Sequence, residues 1–291
     1  VIKVSKSYRL FQIINVTILL VIIAATLYPF LYVVATSFSS EAFVRSGKVS
    51  IFPLGFTTVT YKEVIAEKHF WMGYKNTIIY TILATAFSLF MTTIFAYALS
   101  KKRLLGRGFF LGFAVFTMFF GGGLIPNYLL IRTLGMRNTI WSVIVPGAIS
   151  TYNLLVMKSF FESMPKELEE AASVDGLGTY GLLVKIILPL SMPILATMTL
   201  FYAVGNWNAW FGAFLYMDKR EMFPVTLYLR NIIAGAQQTA TASTLDNEKI
   251  SQIAATIKSA TIVLTVLPIL CVYPFIQKYF VTGVMIGSVK G

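Results

Sequence analysis

Glu167, Glu169, Glu170 and Asp175 place four carboxylates within nine residues, with Ala171 and Ala172 among them and Gly176, Ile186, Leu188 and Pro189 following. Acids at such spacing suit either proton transfer or the capture of a basic partner. Proton-transfer chemistry needs a second reactive group, and the chain has one histidine, His69, and one cysteine, Cys271, both distant in sequence and neither at metal-ligand spacing. No Gly-x4-Gly-Lys-Ser/Thr phosphate loop is present, so nucleotide chemistry is not expected of this chain. Capture is the better reading. Pro165 suits a first helical turn, Ser163 is a nearby capping candidate, the three glutamates complement a helix amino terminus, and Gly176 suits the left-handed residue that ends a helix. Leu168, Ala171, Ala172 and Asp175 recur at three- and four-residue steps, which predicts a narrow, small-residue face able to enter a protein groove. An interfacial helix lying on headgroups is the alternative, although such helices carry Lys and Arg rather than acids.

The surrounding sequence must hold this element outside a bilayer. Mean hydropathy is +0.75, 57% of residues are hydrophobic and 12% are charged, which defines an integral membrane protein. Burying the four acids at mid-bilayer would cost about 10 kcal/mol. Six windows lack Asp, Glu, Lys and Arg: 10–40, 76–100, 108–131, 138–157, 186–217 and 259–277. Each exceeds or approaches the roughly 20 residues of a helical span, and none alternates as a barrel strand does. The expectation is an all-α, polytopic protein with six transmembrane helices at about 10–37, 76–100, 109–131, 139–158, 190–217 and 259–278, forming one transmembrane domain over 1–291. The first window is too long for the apolar region of a secretory signal and reads as an uncleaved helix.

Lys and Arg, 24 in all, divide evenly between the two sides. The short amino-terminal segment and Lys101, Lys102, Arg103 and Arg107 are nevertheless dense in positive charge, which favours both termini in the cytoplasm and puts the acidic element there too. The net charge of +12 is explained by this membrane orientation, with lipid as a partner, and no basic-aromatic soluble segment points to nucleic acid. His69 falls in an external segment and reads as solvated.

Thr179 to Leu188 predicts a second short helix, stopped or kinked by Pro189 and Pro193. A helix, a glycine turn and another helix joined to a span form an elbow that could convey a push into the bundle. Here the residues carry a family resemblance. Glu170-Ala171-Ala172-x3-Gly176-x9-Ile186-x-Leu188-Pro189 resembles the EAA loop of ATP-binding cassette (ABC) importer permeases, and Ala96-Tyr97-Ala98-Leu99-Ser100-Lys101 and Trp207-Asn208 resemble the maltose-type carbohydrate permeases. The similarity runs from Leu10 to Gly291.

That resemblance implies a permease subunit of a carbohydrate importer of the bacterial cytoplasmic (inner) membrane. It pairs with a homologous second permease, sits on two ATP-binding cassette ATPase subunits and receives cargo from an extracytoplasmic solute-binding protein. ATP and Mg belong to the ATPase subunits; no cofactor is expected on this chain. The EAA loop, about 163–189, becomes a cytoplasmic coupling helix in which Glu167, Glu170 and Asp175 serve ATPase coupling. Glu170 meets a basic ATPase residue, and Ala171, Ala172 and Gly176 permit close approach.

Membrane sugar sites combine aromatic faces with amides. Tyr202, Asn206, Trp207, Asn208, Trp210 and Phe211 supply both in the fifth window, as a substrate pathway or, alternatively, as interface aromatics and helix-joining amides. Gly121, Gly122, Gly123 and Pro126 predict a break in the third span, as a hinge or as close packing. The polar stretch 231–245 reads as an external loop with Gly235, Ala236, Gln237 and Gln238 at its tip, either probing the binding protein or merely connecting spans. Arg132 and Arg230 could attract uronates or anchor helix ends, so the cargo is an oligosaccharide that is neutral or acidic. An ion-gradient-driven secondary transporter is the alternative, weakened by windows free of ionisable residues.

Overall fold

The computed structural model describes residues 6–165, 167–241, 255–272 and 274, with backbone alone at 6, 173 and 236–241. The described residues contain helices and no strand. Among the described residues, three helices are long and apolar enough to cross a membrane: Ser7–Ser37, Lys68–Ser100 and Ala255–Val272. Two bent helix pairs are further candidate spans, Arg107–Phe119 with Leu124–Thr133 at 118° and Thr179–Leu190 with Met192–Asn208 at 82°.

The bends follow from local chemistry. The first pair breaks at the expected glycines: Gly123 takes φ +90°, a conformation that side chains with a Cβ rarely adopt. The second turns at Ser191, which is fully buried and whose hydroxyl donates to the Ile187 carbonyl at 2.6 Å. Just before the bend, Leu183–Ile187 is π-helical. That wider turn eases the clash a proline imposes on the carbonyl four residues back, and Pro193 sits in the next first turn, where its missing N–H costs nothing.

The 139–158 window differs from expectation. Trp141–Ile144 and Thr151–Glu162 are separate helices, because Pro146 and Gly147 lie between them and neither sustains a helical turn. Non-helical backbone at membrane depth must find partners inside the protein. The Ser150 N–H donates to the Tyr202 hydroxyl at 3.1 Å, and Ser150 in turn caps the following helix.

The chain forms two compact units, one from Val1–Phe70 and Leu229–Leu267, the other from Trp71–Tyr228 and Pro268–Gly291. In the first, the Lys6–Ser37 helix is exposed along most of its length, and its end is tied to the following loop: Thr57 N–H donates to Phe38 O at 2.9 Å and Ser37 and Tyr61 share a hydrogen bond at 2.8 Å. His69, expected to be merely solvated, is exposed but placed 2.9 Å from Glu67, and that bond lowers the Glu67 pKa. In the second unit the core gathers Ala96, Leu99, Leu154, Met157, Ile187 and Met198 around the carboxyl half of Lys68–Ser100.

Candidate functional site: the EAA elbow and the polar cavities

The acidic element forms the Glu167–Val174 helix. Its end is a Schellman turn, with Leu177 N–H donating to Ala172 O at 2.9 Å and Gly176 at φ +75°. Ser163 does not cap it: that residue closes the preceding helix and its hydroxyl donates to Phe160 O at 2.8 Å.

The faces of this helix differ from the sequence expectation. Ala172, assigned to the groove-entering face, is 1% exposed and packs in the protein's own core, where Leu182, Leu183, Ile187 and Phe161 also lie. The physical reason is the elbow, which folds back and needs a small residue at that contact. Leu168 is half-buried as well. The outward stripe is Glu167, Glu170, Ala171 and Val174, at steps of three, one and three, with Asp175 and Gly176 also exposed. Val174 is 88% exposed, and Tyr180 on the elbow 84%. Of the downstream motif, Ile186 and Leu188 pack against the core, while Pro189 is exposed.

One glutamate works differently. Glu169 turns back to an ion pair with Lys101, whose Nζ lies 4.2 Å from the Tyr97 ring centroid. Arg107 pairs with Glu162 and donates to Leu99 O at 2.7 Å, and Lys158 joins Glu162 at 2.7 Å. Sequence reasoning missed these braces, although the i, i+4 spacing of Lys158 and Glu162 signalled one of them.

The six aromatic and amide residues of the fifth window do not form one cluster. The Met192–Asn208 helix ends before Trp210, and Phe211–Tyr216 is a separate helix. Tyr202 is buried, shares a 2.6 Å hydrogen bond with Thr92 and accepts from Ser150. Asn206 donates to Thr85 at 3.2 Å. It lines two cavities: one of 380 Å³ with Thr77, Asn127 and Ser142, and one of 730 Å³ with Ser150, Asn153 and Tyr202. Trp207 instead packs edge-on to Tyr74, ring centroids 6.1 Å apart, and borders an apolar cavity. Asn208 bonds within its own helix to Val204 O. Trp210 meets Phe211 edge-on and Phe214 at a tilt, Phe211 stacks on Phe214, and Phe211 also reaches the smaller cavity.

The polar groups that sequence reasoning passed over lie on the second span. Thr77, Thr85, Ser88 and Thr92 are buried at steps of eight, three and four, a hydroxyl seam legible from spacing alone. Gly235, Ala236, Gln237 and Gln238 fall within the Val225–Thr241 helix and not at a loop tip, since 225–241 contains no proline and its single glycine does not break it. The rest of the expected loop, 242–245, is outside the described residues.

At the other end of the Lys68–Ser100 helix, Asn76 donates to Glu221 O at 2.6 Å and Val225 N–H to Thr77 Oγ1 at 2.8 Å. Beside them Arg137 donates to both Asp218 oxygens at 2.8 Å, and Asn138, at φ +59°, donates to Asp218 and accepts from its N–H at 2.7 Å. The bonds from Asn138 and Arg137 hold the Asp218 carboxyl below its usual pKa.

No protein-family model matches the sequence. Similarity to individual proteins is extensive. The chain is 42% identical over 288 residues to Protein LplC of Bacillus subtilis (strain 168), covering 99% of this chain and 97% of that one. It is 37% identical over 286 residues to the polygalacturonan/rhamnogalacturonan transport system permease protein YtcP of the same organism, covering 97% and 99%. A bacterial ABC transporter involved in the import of the acidic polysaccharide alginate has a crystal-structure chain that matches with TM-score 0.85 and 35% identity, over 95% of this chain and 99% of that one. Helical fold and sequence similarity along nearly the whole chain together define a multi-pass transport subunit of the inner membrane. The chain belongs to the ABC importer permeases of the maltose-type carbohydrate family.

Proposed function

We propose that this chain is the membrane-spanning permease subunit of an ATP-driven, binding-protein-dependent importer of oligosaccharides, including acidic, uronate-containing ones, working by alternating access. The observation that carries the driving mechanism is the outward stripe of Glu167, Glu170, Ala171 and Val174 on a helix whose opposite side is fixed in the core. Such a helix moves with whatever grips its exposed face, and the elbow delivers that movement to the Met192–Asn208 span across the 82° bend.

In this reading six spans cross the membrane, the fourth of them interrupted, and both termini and the acidic helix are cytoplasmic. Two ATPase subunits, which carry ATP and Mg, grip this helix and its counterpart on a homologous second permease. A solute-binding protein delivers cargo from outside. Asn206, with Tyr202, Asn153 and Asn127, lines the sugar path, because amides and hydroxyls facing cavities can exchange hydrogen bonds with sugar hydroxyls. The acidic cargo is supported by the names of relatives that carry polygalacturonan, rhamnogalacturonan or alginate.

The test is ligand-stimulated ATP hydrolysis by the assembled complex in proteoliposomes, with neutral and uronate oligosaccharides offered on the loaded binding protein. Stimulation by uronate oligosaccharides is the expected result. Stimulation by neutral sugars alone removes the acidic cargo, and uptake driven by an ion gradient without ATP removes the mechanism.

A further inference from the structure

A groove of 1140 Å³ runs between the carboxyl half of the Lys68–Ser100 helix and the elbow, apart from both polar cavities. Its walls are Leu89, Phe90, Ile94, Leu183 and Val184, and it ends at Lys101 and Arg103. From Ala86 to Lys101 the helix rises about 22 Å. One leaflet of hydrocarbon is about 15 Å deep, so the groove reaches from near the bilayer midplane to the headgroup layer of one leaflet. Arg103 is exposed and has no ion-pair partner among the described residues, and neither has the neighbouring Lys102. The Tyr97 hydroxyl, on the same wall, is buried without a hydrogen-bond partner among the described residues.

From this juxtaposition we propose that the groove binds one anionic phospholipid of the cytoplasmic leaflet, with its acyl chains along Phe90, Ile94 and Val184 and its phosphate on Arg103. Basic groups at the cytoplasmic mouth of an intramembrane groove match the negative potential of that leaflet. Lys101 and Arg103 both border this groove and the cleft that contains Glu162, Glu169 and Glu170. A headgroup phosphate would therefore lie beside the Lys101–Glu169 pair that braces the acidic helix, linking lipid occupancy to coupling. The inference rests on the cytoplasmic orientation proposed above.

The test uses the assembled complex in nanodiscs of phosphatidylglycerol mixed with phosphatidylcholine, with retained lipid read by native mass spectrometry. Wild type should keep phosphatidylglycerol in preference to phosphatidylcholine, and Arg103→Gln should lose about tenfold of that preference. Ala98→Phe, on the groove wall, narrows it without changing charge and should lower retention of the bound lipid in the same way; the native mass itself reports that each variant complex is fully assembled. Equal retention of the two lipids, or unchanged preference in both variants, overturns the site. Crosslinking of the groove to the second permease in place of lipid also overturns it. A wild-type complex lacking binding-protein-stimulated hydrolysis altogether would instead refute the transport reading.

Discussion

The Lys68–Ser100 helix has an ionic corner at each end, and the two are built for different purposes. At the Asp218 corner the carboxylate is used internally: Arg137 and Asn138 donate to its oxygens, the Asn138 N–H donates to Tyr216 O, and the Asp218 N–H donates to the Asn138 side-chain oxygen. At the acidic-helix corner the charges are divided. Glu169 and Glu162 pair with Lys101, Arg107 and Lys158, while Glu167 and Glu170 are displayed outward. A corner that consumes its charges is a clip. One that braces itself with some acids and presents others fits the handle proposed above.

The largest effect should come from reversing the displayed acids. Glu167→Lys together with Glu170→Lys should reduce binding-protein-stimulated ATP hydrolysis about tenfold or more, with normal membrane insertion by fractionation. Equal loss of activity after reversing Asp218 alone would dissolve the distinction between handle and clip.

Next is the inner face of the handle. Ala172→Leu should destabilise the purified protein by about 1–3 kcal/mol through overpacking, read as a lower thermal midpoint. Ala171→Leu, on the exposed face, should leave that midpoint unchanged and weaken coupling instead. If the two behave alike, the assignment of faces is wrong.

Tyr202→Phe should cost roughly 1 kcal/mol, because it leaves the Ser150 N–H and Thr92 without their shared partner. Hydrogen exchange should rise at 145–151 and stay unchanged at the acidic helix; the reverse pattern would place the constraint elsewhere.

The smallest effect belongs to the clip. Asp218 has a lowered native pKa, so its contribution is complete above the ordinary carboxylate value of 3.8 and is lost as pH falls through the native one. With both proteins normalised at neutral pH, Asp218→Asn should lose less stability on acidification than wild type, a flatter acid limb; coincident limbs would show that the pairing contributes nothing.

Much of this protein was legible in one dimension. Charge-free windows located the long helices because a bilayer penalises each buried charge by kilocalories, a term large enough to be read without neighbours. Gly176 and the glycines at 121–123 announced a turn and a break because few residues tolerate positive φ. The interrupted fourth window was missed: Pro146 and Gly147 were visible, but the break is sustained by Tyr202, distant in sequence. The helical state of 235–238 was likewise hidden, since polar composition alone does not separate a loop from an exposed helix.

The sequence by itself determined a helical membrane subunit, the acidic helix with its Gly176 end, and the family. Only the tertiary structure decided which side of that helix is free. Helical spacing groups Ala171 with Ala172 as readily as with Glu167 and Glu170, and small residues suit either a partner's groove or the protein's own core. The elbow folding back onto Ala172 breaks that tie, because burial is a relation among distant segments and not a property of any one of them.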